Sequence, residues 1–430
     1  MTPPPAAGAN RMRQAVVLVS GGDPTKGIGG HGTYVRAHAR AAKRAGFEPH
    51  ILCRAPRGGR VETEFGTVHR VQNFWRLDDL PWFKFRSANM MWRAPLLARA
   101  VADFTAGLPA PRLVHGFGVH AWEAVAAAHR LRRRGIAVTA IASAYDTLVR
   151  EARAKLRGVS AAHGTLQRLG FAVELAMTRL VVARLERRGF AEAALILVNY
   201  ESVRQDLSDR YGVGAKVRKV TYGPESAFTR KGGSSRALAQ EGDAGGEPPL
   251  IVAVSRHDPR KGVHVLIEAL ARLRASGTRF RGCLVGGGAL LAAHRRLVER
   301  LGLAGTVKVE GFVPDPFPYL EEAQVFVQPS LEEGSGSLSL LEALQAGTAV
   351  VASRVDGIPE DVVDGESALL TEPGDPEALS AALARVLTDP DLRRRLARRG
   401  HAVFESRFSA DAFAAALRGT YAEVGVTPDR

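Results

Sequence analysis

Cysteine is nearly absent. Cys53 and Cys283 are the only two in 430 residues. They lie far apart, each in an apolar run that reads as a buried strand, which leaves no basis for a disulfide framework or a thiolate zinc cluster. A reducing cytosol is the simplest compartment for such a chain. No run approaches the roughly 18 apolar residues of a membrane span. The opening residues MTPPPAAGANRMRQ lack the apolar centre of a signal peptide, and Pro3, Pro4 and Pro5 mark residues 1–14 as a disordered lead-in. There is no short-period repeat, no recognised nucleic-acid-binding motif and no GxGxxG directly at the end of the first apolar run, that spacing appearing only further on at Gly27–Gly32, which disfavours nucleic acid as a partner and a nicotinamide dehydrogenase as the activity. No Asp-x-Asp pair stands at a strand end, and Asp78-Asp79 falls in a loop, so no metal site is expected.

What is present is a long chain of ordinary globular composition, 46% hydrophobic and 24% charged, for which two domains are the default. The net charge of +15 has three readings: arginine-rich composition, an anionic ligand, or an anionic membrane surface. Apolar runs alternate with amphipathic stretches, the mark of α/β domains with parallel sheets. Residues 15–19, 49–53, 137–142 and 195–198 read as strands; 31–45, 121–134, 165–190 and 203–211 read as helices. Residues 231–248, KGGSSRALAQEGDAGGEP, carry no apolar period and read as a linker. The alternation restarts at residue 250 and runs to about 400. Phe408, Phe413, Leu417 and Tyr421 recur at helical spacing in a final amphipathic helix.

Three motifs sit where strands end. Ser255-Arg256 closes a strand, and Lys261-Gly262 opens a helix. That mouth combines two cations with a helix N-terminus, which suits a diphosphate. Leu284-Val285-Gly286-Gly287-Gly288 is a strand running into glycines that let a backbone approach a ligand; a tight turn without a ligand has the same sequence. Val325-Phe326-Val327-Gln328-Pro329-Ser330 leads into Glu332-Glu333-Gly334-Ser335-Gly336-Ser337 and a helix holding Glu342. The Gly/Ser loop exposes N–H groups to an anion, and Glu333 and Glu342 can accept hydrogen bonds from sugar hydroxyls. A fourth stretch, Pro81-Trp82-Phe83-Lys84-Phe85-Arg86 through Met91-Trp92-Arg93, interleaves aromatics and cations. That pattern suits a membrane interface or the wall of a sugar-acceptor site, and equally a buried helix with one solvated face.

SRHDPRKG, VGGG, FVQPSLEEGSGSLSLLEALQAGTAVVAS and DGIPEDVVDGESALL, in that order across roughly 250–390, resemble the C-terminal domain of family 4 glycosyltransferases. The first half is similar more loosely, through Gly27-Ile28-Gly29-Gly30-His31, Val114-His115, and Val198-Asn199-Tyr200-Glu201-Ser202 to Tyr222-Gly223-Pro224. The resemblance implies the GT-B fold, two Rossmann-like domains facing across a cleft. The domains would span 15–230 and 249–407, with a C-terminal helix, 408–430, packing back on the first.

The resemblance also implies roles. Arg256, Lys261, Gly30, Ser335, Gly336 and Ser337 would hold the donor diphosphate. Glu342, Gly286, Gly311 and Phe312 would hold the nucleoside. Glu333 would lie near the donor sugar, although eight residues separate it from Glu342 where the family usually has seven. A catalytic histidine is expected after the strand ending near Val114, and His115 and His120 are both candidates. The implied activity is a metal-independent, retaining transfer of a sugar from a nucleotide-diphosphate donor to a hydroxyl acceptor that may be lipid-linked, with no cofactor beyond the donor itself. The expected location is the cytoplasm or, peripherally, the inner face of the plasma membrane. A nucleotide-sugar epimerase and a non-catalytic partner subunit on the same fold are the alternatives.

Overall fold

The computed structural model describes residues 13–26, 30–72, 86–145, 172–173, 175–233, 238, 247–334 and 336–428. Its frame is two sheets. The first comprises β1 Ala15–Ser20, β2 Glu48–Ala55, β3 Gly59–Thr63, β4 Gly66–Gln72, β5 Leu113–Phe117, β6 Thr139–Ala144, β7 Ile196–Val198 and β8 Val217–Lys219, in the order β3-β4-β2-β1-β5-β6-β7-β8. The second comprises β9 Leu250–Val254, β10 Arg281–Val285, β11 Val307–Gly311, β12 Val325–Gln328, β13 Ala349–Ser353 and β14 Leu369–Thr371, in the order β11-β10-β9-β12-β13-β14.

The β1 sequence AVVLVS is buried at every position, as a parallel strand covered by helices on both faces must be. Val16 and Leu18 enter one apolar cluster with Val35 and Phe47; Val17 and Val19 enter another with Leu97, Val101 and Ala124. One departure from a uniformly parallel sheet lies at its edge, where β3 pairs antiparallel with β4. β3, GRVET, keeps charged residues outward, which blunts the open edge.

The chain ends by crossing between the domains. Helix Pro390–Arg407 packs on helix Leu338–Ala346 and on β13, and helix Ala410–Glu423 packs on helix Gly30–Arg44. The expected helix from Phe408 is the single helix Ala410–Glu423, set off by a corner from the one before it: Phe408 closes Pro390–Arg407, and the Ser409 hydroxyl caps the last helix by accepting from Ala412 N at 3.3 Å. Phe413, Leu417 and Tyr421 are fully buried. The expected helix over 165–190 lies partly outside the described residues; its later part passes through a π-helical turn at Thr178–Val182 into Ala183–Glu192. Among the described residues, no helix is long and apolar enough to cross a membrane.

Strand order reverses between β1 and β5 in the first sheet and between β9 and β12 in the second. Ligand crevices of open α/β sheets form outside the carboxyl ends of strands at such reversals. The carboxyl-end loops of the two sheets meet each other. Tyr200 after β7 bonds Asp361 after β13, and Ser226 Oγ donates to Gln345 Oε1 at 2.6 Å.

Candidate active site

The second-domain mouth is built from the loops after β9 and β12. Asp258 caps a short 3-10 turn, Pro259–Lys261, accepting from Arg260 N at 3.1 Å. The Arg260 carbonyl accepts from Leu331 N at 2.7 Å, joining the two loops. This turn aims Lys261 inward. Its Nζ lies 2.6 Å from Glu333 Oε2, with the Lys and Glu side chains only 15% and 1% exposed. Glu333 Oε1 accepts from Gln328 Nε2 at 2.8 Å and from Ser330 Oγ. Its backbone is fixed as well, because Asp356 Oδ2 accepts from Glu333 N at 2.7 Å and Gly334 N at 2.9 Å. Asp356 takes a positive φ of 46, a strained conformation that concentrates at functional sites. Glu333 is thus a partner of Lys261 within a polar network rather than an open carboxylate. Arg256 is the outward cation, 68% exposed and 3.5 Å from Asp258.

Helix Leu338–Ala346 opens beside this network. Ser337 Oγ caps it, accepting from Leu340 N at 3.3 Å and donating to Gln328 Oε1 at 2.8 Å. Glu342 lies one turn into the helix. Burial first, then the carboxylate of Asp315, push it up to about 7, so its proton is held weakly near neutral pH and arriving hydrogen-bond donors would favour the ionised form. Gly286, Gly311 and Phe312 come together at the ends of β10 and β11: Gly286 N donates to Gly311 O at 2.7 Å, and Phe312 is 60% exposed.

The first-domain mouth separates the two histidines. His115 sits within β5 on the face it shares with Leu113 and Phe117. It is fully buried, with Nε2 2.7 Å from Ser143 Oγ and Nδ1 3.0 Å from Tyr421 Oη. Burial holds it well below the usual imidazole range. His115 is a core residue sealed under the C-terminal helix, and its candidacy for the cleft is corrected. His120 lies beyond the strand, in the 3-10 turn Gly118–His120, and reaches the loop after β1. A Cβ on Gly21 would fall 2.0 Å from its Nε2. Its Nδ1 is 3.1 Å from Glu123 Oε1, on a fully buried carboxylate. A carboxylate only accepts, so the network assigns the proton to Nδ1. In the neutral ring Nε2 is then an acceptor facing the switch point. The His31 ring stands 5.8 Å away.

Gly30 begins the first helix, Gly30–Arg44. Ser335, residues 81–85 and the side chains of 86–93 lie outside the described residues. The sequence reading missed Gln328, Ser330, Asp356 and Glu123. The first three stand inside motifs it quoted, and Glu123 is one helical turn beyond His120. Among the described residues no group of three His, Cys, Asp or Glu side chains is placed to hold a metal ion.

The family model for glycosyl transferases group 1 matches residues 235–403, and that for glycosyltransferase family 4 matches residues 28–223. The lipopolysaccharide core biosynthesis glycosyltransferase LpsE of Rhizobium meliloti is 33% identical over 226 residues, 52% of this chain and 62% of that protein. The GDP-mannose-dependent alpha-(1-6)-phosphatidylinositol monomannoside mannosyltransferase of Mycolicibacterium smegmatis is 30% identical over 226 residues, 50% of this chain and 59% of that protein. The alignments thus span about three fifths of these relatives. Among solved structures, sucrose-phosphate synthase from Thermosynechococcus elongatus superposes with a TM-score of 0.70 at 23% identity, over 96% of this chain and 99% of that one. Anabaena HepE in complex with UDP does so with a TM-score of 0.65 at 19% identity, over 95% and 100%. These likenesses show the GT-B fold.

Proposed function

This chain belongs to the family 4 glycosyltransferases, and on that footing we propose that it moves a sugar from a nucleoside-diphosphate donor to a hydroxyl acceptor with retention of configuration. The observation that carries the reading is the second-domain mouth. There the exposed Arg256, the Lys261–Glu333 pair and the capped start of helix Leu338–Ala346 converge at the strand-order reversal. The donor diphosphate lies against Arg256 and Lys261, and its ribose hydroxyls donate to Glu342. The anomeric carbon breaks its bond to the phosphate oxygen and bonds the acceptor oxygen; the acceptor proton leaves with the phosphate. Arg256 and the helix N-terminus stabilise the charge that grows on the departing diphosphate. His120 Nε2 accepts from a sugar or acceptor hydroxyl. The sequence has no Asp-x-Asp pair at a strand end and supplies cations instead, so activity is expected to persist in EDTA.

The acceptor reading extends to a lipid-linked hydroxyl at a membrane surface. It is supported by the names of the relatives, which act on lipopolysaccharide core and on a phosphatidylinositol monomannoside, and by the aromatic and basic residues of 81–93. The test of the donor site is calorimetric titration with UDP, GDP, ADP and dTDP. One or more should bind the wild type, and Arg256→Ala should weaken that binding by roughly 10–150-fold, the loss of one charge-assisted contact. Equal affinity in the variant would refute the diphosphate assignment.

A further inference from the structure

Tyr200 follows β7 in the first domain and is among the largest fully buried side chains, and the second domain supplies part of what buries it. Its hydroxyl donates to Asp361 Oδ2 at 2.8 Å. Asp361 ends the short helix Ile358–Asp361 and is itself buried. The Tyr200 ring also lies along Gly336. That residue has a φ of 140, and a Cβ there would fall 2.1 Å from Tyr200 Oη and 2.2 Å from its Cζ. The ring therefore fills the room that any side chain at 336 would need.

Gly336 belongs to the loop between Glu333, the partner of Lys261, and Ser337, the cap of helix Leu338–Ala346. A first-domain side chain is thus the floor of the second domain's anion loop. One further set of contacts crosses the same seam, and another braces its second-domain side. The Glu360 carboxylate accepts from Glu201 N at 3.0 and 3.1 Å and pairs with Lys219. Arg407 donates to the carbonyls of Glu360 and Asp361 at 2.8 and 3.3 Å. Glu201 and Lys219 belong to the first domain, Glu360 lies between β13 and β14 of the second, and Arg407 ends a helix packed on that second domain, so the seam orders residues on both sides of the cleft.

We propose that Tyr200 is a positioning residue for donor binding: seated against Gly336 and docked on Asp361, it holds Gly336 and the helix-capping Ser337 in place for an anion only while the two domains are closed. The inference rests on the reading that this loop faces the donor diphosphate. Its consequence is reciprocal. If closure raises donor affinity by some factor, the bound donor favours closure by the same factor.

Tyr200→Phe keeps the ring and removes the hydroxyl, Gly336→Ala adds the Cβ, and Tyr200→Ala makes room for it. The probe is whichever of UDP, GDP, ADP and dTDP binds the wild type most tightly, titrated by calorimetry. Melting temperature is measured for every variant, and small-angle scattering with and without nucleotide. Tyr200→Phe should weaken binding by about tenfold, as expected when a buried hydrogen bond is lost, and should reduce the compaction that nucleotide induces. Gly336→Ala should weaken binding more in the Tyr200 background than in Tyr200→Ala, because strain at positive φ is common to both and the clash with the ring is not. The proposal is overturned if Tyr200→Phe binds and compacts like the wild type, or if Gly336→Ala costs the same factor in both backgrounds. Should Tyr200→Ala not fold, Tyr200→Phe decides alone. If Arg256→Ala still loses nucleotide while the Tyr200 variants do not, this inference fails and the donor site stands. If no nucleotide in the panel binds the wild type, both fall.

Discussion

Taking the ammonium off Lys261 probes the second-domain mouth most directly. Lys261→Met keeps the aliphatic stem and leaves Glu333, 1% exposed, with only Gln328 and Ser330 to answer its charge. Breaking a buried ion pair from one side costs roughly 3–5 kcal/mol, whereas neutralising both partners together is often near neutral. At roughly 2–4 °C per kcal/mol for a domain of this size, the single variant should lose on the order of 10 °C in melting temperature. Lys261→Met combined with Glu333→Gln should regain most of that. Donor affinity should part company with stability: the double variant still lacks the cation and should bind nucleoside diphosphate roughly 10–150-fold more weakly. Scanning calorimetry reads the first quantity and isothermal titration the second. A single variant that melts with the wild type would refute the buried-pair argument, and a double variant that binds nucleotide normally would remove Lys261 from the donor site.

Glu342, pushed up to about 7 by burial, must ionise fully to accept from two ribose hydroxyls. Nucleotide affinity should therefore rise with pH between about 6 and 8 and lose that dependence in Glu342→Gln; a flat wild-type profile in titration calorimetry would take Glu342 out of the nucleoside site. Burial, the largest cause in each case, lowers His38, His69 and His294 to about 4 and also lowers His50, His115 and His257. The unfolded chain takes protons near 6.5 that the folded chain refuses, so stability is full above about 6.5 and falls as pH drops toward 4. Glu342 and Asp361, raised to about 7, act in the opposite sense over the same window but are two groups against six. Urea midpoints at pH 7.5, 6 and 5 should decline, and constant midpoints would contradict the burial argument. The 81–93 stretch should give salt-sensitive co-sedimentation with anionic vesicles, about 1 kcal/mol per surface cation. No pelleting at low salt, or pelleting indifferent to Arg86→Glu with Arg93→Glu, leaves the acceptor soluble.

What could be read from the sequence was what is local in it. Arg256, Lys261, Ser337 and Glu342 lie at strand ends and helix starts, and strand ends are marked by where an apolar run stops. The choice between His115 and His120 was also written locally. In a strand, alternate residues share a face, and His115 shares its face with Leu113 and Phe117, which is a core pattern; reading the alternation through to Phe117 would have excluded it. The start of the last helix was read two residues early because Phe408, which closes the preceding helix, was counted into the apolar period; the capping Ser409 marks where the helix begins. Asp356 and Tyr200 stand inside stretches the resemblance rests on, but nothing local says what either one does. Each acts on a loop that is remote in sequence, Asp356 on Glu333 and Gly334 and Tyr200 on Gly336, so their placement depends on how the sheets are laid against each other. The antiparallel β3–β4 edge was missed because alternating charge in a short segment reads as loop.

The returning C-terminal helix sets a timetable for synthesis. Phe47 and Tyr421 pack ring against ring at 5.3 Å, and His115 waits on the same tyrosine for one of its two hydrogen bonds, yet about 370 residues separate Phe47 from Tyr421 along the chain. At roughly 5–20 residues per second, the first domain, complete by about residue 230, emerges from the ribosome some 10 to 40 seconds before the helix that roofs it. Throughout that interval its alanine-rich helix Gly30–Arg44 presents an uncovered apolar face. The second domain must be made, and largely folded, while the first stands open beside it. Premature termination between β14 and Ala410 would therefore release a chain in which both sheets are complete but the first domain lacks its covering helix.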